Sequence, residues 1–109
     1  MSTTGSTAVS DGDRIAPADI AAALTRAPFV YADGATQVFT PDGHTVYTEH
    51  GRPSSGGWKV DDEGRFESFW PPSEYTIYQL SWIAGTDGKA VGIRFTDPNR
   101  GAKFDGRYA

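Results

Sequence analysis

The sequence predicts an all-β fold: a small antiparallel meander β-barrel of seven to eight strands with one short N-terminal helix. Three observations predict it. Trp58, Trp70 and Trp82 fall twelve residues apart, each in a short β-type run bounded by turn residues, and one strand plus one tight turn takes about 8–12 residues in a meander. From Phe29 onward the apolar pattern has period two, broken by clusters of Gly, Pro, Asp, Asn and Ser. Every connection between the resulting runs is short, so neighbours should pair antiparallel, and this many strands either curl into a small barrel or form a strongly bent sheet, since an open sheet leaves sticky edges.

The elements follow in chain order. Residues 1–14 are poor in large apolar side chains and are expected to be a disordered tail. Residues 15–109 are then one domain, with a helix over 17–26. Pro17 suits a first helical position, and Asp19 complements the helix dipole. Ala21, Ala22, Ala23 and Leu24 favour helix, Ile20, Leu24 and Ala27 form a short apolar stripe, and Pro28 ends it. This helix should lie as a lid or plug across a sheet or barrel end.

Strands are expected at Phe29–Tyr31, Ala35–Thr40, His44–Glu49, Trp58–Asp61, Arg65–Trp70, Tyr75–Ile83, Ala90–Thr96 and Lys103–Tyr108. The turns between them are Asp33-Gly34, Pro41-Asp42-Gly43, 52–56 (Arg-Pro-Ser-Ser-Gly), 61–64 (Asp-Asp-Glu-Gly), Pro71-Pro72-Ser73, 85–88 (Gly-Thr-Asp-Gly) and 97–101 (Asp-Pro-Asn-Arg-Gly). The run Tyr75–Ile83 carries bulky apolar groups on both faces, so its second face must be covered by the helix, a second subunit or a ligand. Gly92, in mid-strand, marks a bend, a bulge or a close approach.

Composition excludes several function classes. Net charge is −4 with a pI near 4.9, and the basic residues are scattered, so nucleic acid is not expected as a partner. There is no cysteine, which removes disulfides, thiolate nucleophiles and Cys-based metal sites. The N-terminal stretch has neither signal-peptide nor membrane-span character, so a soluble, cytoplasmic protein is expected, with no membrane partner.

The block from Gly56-Gly57-Trp58-Lys59-Val60 through the acidic-Gly turn to Phe69-Trp70 has the form G-x-W-x-V, turn, strand ending in Trp. It resembles the hairpin of small bacterial calycin-like barrels, the group with lipocalin-type and streptavidin-type folds. Gly34, Gly43 and the Thr45-x-Tyr47 segment look like the opening hairpin of those families. The resemblance covers residues 34–108 and implies a meander barrel whose interior holds a small molecule.

No constellation with a specific catalytic pattern stands out. His44 and His50 lack the spacing of a metal site, and Glu49 points to the opposite face from His50, so neither a metal nor a cofactor is expected. Ser54-Ser55-Gly56-Gly57 lacks the strand-to-helix setting of a nucleophile elbow. Arg65 and Glu67 share a face; if it is interior, Glu67 with Arg65 or Arg94 forms a buried charge cluster, and if exterior, a solvated surface. The leading expectation is a binding barrel that encloses an apolar or aromatic ligand with Trp58, Trp70, Tyr78 and Trp82, oriented by Tyr47, Glu67 and Arg94. Such a site needs a cavity of about 300 Å³ or more. Two alternatives stand beside it: an interaction module or homodimer burying an apolar sheet face, and an isomerase- or cyclase-type enzyme with Glu67, Tyr47 or His44 as acid or base.

Overall fold

The computed structural model describes residues 9–71 and 75–109. Eight antiparallel strands close into a barrel in simple sequential order. They are β1 (Phe29–Tyr31), β2 (Thr36–Phe39), β3 (His44–Glu49), β4 (Arg52–Val60), β5 (Phe66–Phe69), β6 (Thr76–Ala84), β7 (Ala90–Thr96) and β8 (Lys103–Tyr108). Closure is made by β1 with β8, where Phe29 faces Tyr108 and Tyr31 faces Gly106. A 3₁₀ turn, Pro17–Asp19, leads into the helix α1, Ile20–Thr25. The predicted meander and helix are therefore the fold.

The strands run up and down, so their connections define two ends. The β1–β2, β3–β4, β5–β6 and β7–β8 connections lie at the upper end. The β2–β3, β4–β5 and β6–β7 connections lie at the lower end, and α1 closes it. Ile20, Ala23 and Leu24 of α1 are buried with Ile15 in the same core as Phe29, Leu80 and Ile93. The Tyr108 hydroxyl at the foot of β8 donates a 2.7 Å hydrogen bond to the Ala23 carbonyl, and the Arg26 guanidinium sits 4.7 Å from the Tyr108 ring. The helix is short because its apolar stripe is short; it is held by burial rather than by its own propensity.

Inward positions alternate along each strand as the period-two pattern requires. At mid-height the inward rings form an aromatic layer. Phe39 stacks on Phe95 at 6.1 Å, Phe29 meets Phe39 edge-on at 5.8 Å, and Phe66 lies 5.9 Å from Phe95. Edge-to-face and offset pairs suit the ring quadrupoles, and burial of these rings is the main apolar contribution to the core.

Two expectations are corrected. The strand expected to start at Trp58 starts six residues earlier, at Arg52. The turn is not at 52–56 but at His50-Gly51, both at positive φ (52° and 75°) between the paired Glu49 and Arg52. Two consecutive positive-φ residues are what a right-twisted two-residue hairpin requires. Pro53 is tolerated within β4 because β5 pairs only with Gly57–Val60, leaving the first part of β4 with a free flank. The second correction concerns the tail. Residues 1–8 lie outside the described residues, but 9–14 are pinned to the barrel. Gly12 N–H donates to the Trp82 carbonyl, Trp82 N–H to the Asp13 carbonyl, and Ile15 N–H to the Leu80 carbonyl. β5 is only four residues long and pairs β6 no further down than Tyr78. The lower flank of β6 would be an unpaired edge, and the N-terminal segment completes it.

The Pro71-Pro72-Ser73 turn falls partly outside the described residues, which include only its Pro71. No helix among the described residues is long and apolar enough to cross a membrane. Gly92 is a close approach: a Cβ there would stand 2.2 Å from the Gly106 carbonyl oxygen across the β7–β8 pair.

Candidate functional site

Above the aromatic layer the barrel is hollow. A cavity of about 840 Å³ opens at the upper end. Its floor is Phe39, Phe66 and Phe95, and its walls carry Tyr31, Tyr47, Trp70, Tyr78 and Phe104. The upper half stays empty because its inward residues are either rings that line the wall or small groups such as Ser54 and Ser68 that fill little volume. The lower half, with Ile15, Ile20, Leu24, Leu80 and Ile93, is a buried core, with a smaller pocket of about 250 Å³ at its side by Ile15, Ile20 and Leu80.

The wall has an ordered aromatic arc. Tyr31 on β1 lies 5.9 Å from Tyr47 on β3, and Tyr47 meets Trp70 edge-on at 6.3 Å. Trp70 follows the end of β5, and its ring is seated on the inward face of β4. A Cβ at Gly56 would lie 2.6 Å from the Trp70 ring and 2.4 Å from the Phe69 carbonyl oxygen. Only glycine leaves the space that this ring occupies.

Polar groups are placed within the apolar lining. The Tyr31 hydroxyl donates to Gln37 Oε1 at 2.5 Å, Gln37 Nε2 donates to Thr45 Oγ1 at 2.9 Å, and Thr45 Oγ1 donates to the Val38 carbonyl at 2.9 Å. Gln37 and Thr45 are buried, and this chain satisfies them as burial demands. Burial, with Tyr47, Tyr78 and Asp33 nearby, pushes the Tyr31 phenol well above the ordinary tyrosine range. Burial raises Tyr47 too, helped by Glu49 and Asp33, and it raises Tyr78. All three therefore remain protonated near neutrality and offer O–H donors. Ser68, only 5% exposed, lines the cavity with no hydrogen-bond partner for its hydroxyl among the described residues.

Of the residues expected to form the site, the structure brings Tyr47, Trp70 and Tyr78 to the cavity. The other four lie elsewhere. Trp58 is buried in the packed core against Phe39 and Phe66, its Nε1 donating to the Thr40 carbonyl at 3.0 Å. Trp82 points inward but in the lower half, packed against the core. Glu67 lies on the outer surface, because its strand neighbours Phe66 and Ser68 both point inward. Arg94, between the inward Ile93 and Phe95, is also outside. It forms a bidentate pair with Asp105 at 2.8 and 3.0 Å, and that pairing holds the Asp105 carboxyl below its usual range. The interior charge cluster of Glu67 with Arg65 or Arg94 does not exist. Arg65 instead bonds Asp61 and Glu63 in the lower β4–β5 turn at 2.8 and 2.9 Å.

Of the other candidates, His44 is exposed and bonds Asp42 at 3.0 Å in the lower β2–β3 turn. His50 is a hairpin-turn residue at the upper end. Ser54 and Ser55 lie on β4 at the cavity edge rather than in a loop. Tyr31, Gln37, Ser68 and Phe104 were not expected as lining residues. Tyr31 and Gln37 stand two residues from the inward Phe29 and Phe39, and that parity is the signal that could have found them.

Comparison with known proteins finds no family model, no curated protein and no solved structure that matches the chain.

Proposed function

We propose that this protein binds a small, largely apolar ligand with an aromatic group in the upper half of its barrel, without catalysing a reaction. The observation that carries this reading is the cavity. It is sealed below by α1 and the aromatic layer, open above, and lined by rings with a few polar groups among them. Its volume lies within the range of about 300–1,000 Å³ typical of ligand sites. The closed antiparallel barrel with one short helix is compatible with the calycin-like resemblance, whose members hold ligands inside. The tyrosines within the cavity remain protonated near neutrality, which suits donors that orient a ligand better than bases that abstract a proton.

The test is titration with N-phenyl-1-naphthylamine, a neutral aromatic probe, followed by probe fluorescence and by the thermal midpoint. Saturable one-site binding that raises the midpoint supports the reading, since a ligand for the folded state stabilises it by mass action. Binding should weaken in Trp70→Ala and persist in Trp82→Phe. An absence of saturable binding would remove it.

A second reading, a homodimer or docking module, draws on the outer faces of β1, β2 and β3. Val38 and Val46 face each other across β2–β3, and both are exposed together with Val30. Sedimentation of the wild type beside Val38→Asp decides between self-association and its absence: a dimer that dissociates in the variant supports the homodimer, and two identical monomers exclude it.

A further inference from the structure

The cavity mouth is uneven in charge, and the unevenness coincides with the aromatic arc. Asp33, in the β1–β2 turn, and Glu49, at the upper end of β3, both line the mouth beside Tyr31 and Tyr47. Asp33 Oδ1 accepts the Ala35 N–H at 3.0 Å, an ordinary turn contact. Glu49 has a 3.5 Å contact with the Tyr47 hydroxyl. Among the described residues neither carboxylate is in an ion pair. The other acid in the lining, Asp105, is already held by Arg94. The one lysine in the lining, Lys103, belongs to β8, beyond β1 and β2 from Glu49.

We propose that this mouth selects an organic cation: an amine or quaternary ammonium group held over the Tyr31, Tyr47 and Trp70 rings, beneath the Asp33 and Glu49 carboxylates, with its apolar body on Phe39, Phe66 and Phe95. The proposal rests on the reading of the cavity as a ligand site and names the class of ligand. Three electron-rich ring systems, with successive centroids 5.9 and 6.3 Å apart and planes inclined at 53° and 74°, line this side of the cavity, and a ring face attracts a cation placed over it. Two carboxylates without cationic partners add to that field, and the low-dielectric wall strengthens it. The same field assists burial in keeping the Tyr31 and Tyr47 phenols protonated. Among the described residues the cation opposite Glu49 is Arg52, across the β3–β4 hairpin, and it lies outside the cavity lining, so an anionic ligand entering beside Asp33 and Glu49 meets two carboxylates first. The Ser68 hydroxyl, without a partner among the described residues, lies deeper, where it can bond a polar atom on the ligand's body.

The experiment compares three probes of matched size: benzyltrimethylammonium, its neutral isostere neopentylbenzene, and the anion phenylacetate. Binding is read by tryptophan fluorescence and thermal midpoint, beside the naphthylamine probe. The cation should bind about tenfold or more tighter than the isostere, and phenylacetate weakest of the three. In the double variant Asp33→Asn, Glu49→Gln the cation's advantage should fall severalfold while the isostere's affinity holds. The amide oxygen of an asparagine keeps the acceptor for the Ala35 N–H, so the turn survives. Equal binding of cation and isostere overturns the proposal and leaves the cavity reading intact, as does failure of the cation where naphthylamine binds. Failure of all four compounds overturns the cavity reading and this proposal together.

Discussion

The two ends of the barrel are built from the same eight strands and similar aromatic residues, yet one is shut and the other open. The lower end receives aliphatic side chains from α1 and the N-terminal segment, and these pack into the core beneath the rings, beside a smaller pocket of about 250 Å³ at Ile15, Ile20, Phe66 and Leu80. The upper end receives no such plug among the described residues. Its inward positions alternate rings with small or hydrogen-bonding groups, and a cavity of about 840 Å³ remains. In a close-packed protein an unfilled volume forfeits contacts that a filled one would make. The lower half therefore holds most of the buried aliphatic packing, and the upper half keeps the volume a ligand would need.

That division can be broken by mutation. The largest effect is expected at the lower end. Leu24→Ala, at a fully buried position of α1, should cost about 2–5 kcal/mol by denaturant unfolding, while the affinity of the folded protein for naphthylamine stays within about twofold. At the upper end Gly56→Ala should cost about 1–3 kcal/mol through overpacking, because its Cβ meets the Phe69 carbonyl and the Trp70 ring. Unlike Leu24→Ala it should also shift Trp70 emission and weaken probe binding. Gln37→Leu breaks the Tyr31–Gln37–Thr45 chain and should cost about 1–2 kcal/mol, with binding altered and α1 undisturbed. If Leu24→Ala abolished binding in the folded protein, or Gly56→Ala left it untouched, the two halves would not be separable.

How much of this was legible in the sequence differs between the halves. Strand pitch could be read because most turns carry a residue that needs positive φ or an Asp that caps the turn. The β3–β4 hairpin escaped because His50 occupies a positive-φ position that Asn or Gly more often fills, while Pro53-Ser54-Ser55 mimics a turn. Facing direction was partly legible. Glu67 and Trp70 are three apart on one extended run and so cannot share a face, and Arg94 lies between two apolar neighbours; strict parity would have put both outside. Height along the barrel was not legible. Trp58, Trp70 and Trp82 all face inward, but only the register and the position of α1 decide which are packed below and which lines the cavity. The pairing of residues 9–14 with β6 depends on β5 being too short to cover that flank, which composition does not reveal.

The smallest effects are expected from pH, and one shifted group at each end shows them. At the lower end, hydrogen bonds from Thr40 and His44 hold Asp42 down to about 2. Its folded pKa is depressed, so its contribution is present above the unfolded value of 3.8 and is lost as pH falls toward 2. At the upper end, the Tyr31 pKa is raised by burial. Its contribution is present below the unfolded value near 10 and is lost as pH climbs beyond it. Thermal midpoints followed across pH should show Asp42→Asn flattening only the acid limb and Tyr31→Phe only the alkaline limb.

A ligand should enter the upper half alone, and amide chemical shifts during a naphthylamine titration of the ¹⁵N-labelled protein report its place residue by residue. The expected result is saturable change at Tyr31, Gln37, Tyr47, Ser68, Trp70, Tyr78 and Phe104, with Ile20–Thr25 and the outer Val38 and Val46 unmoved. Shifts centred on α1 or on the outer valines, or no saturable shift at all, would contradict it.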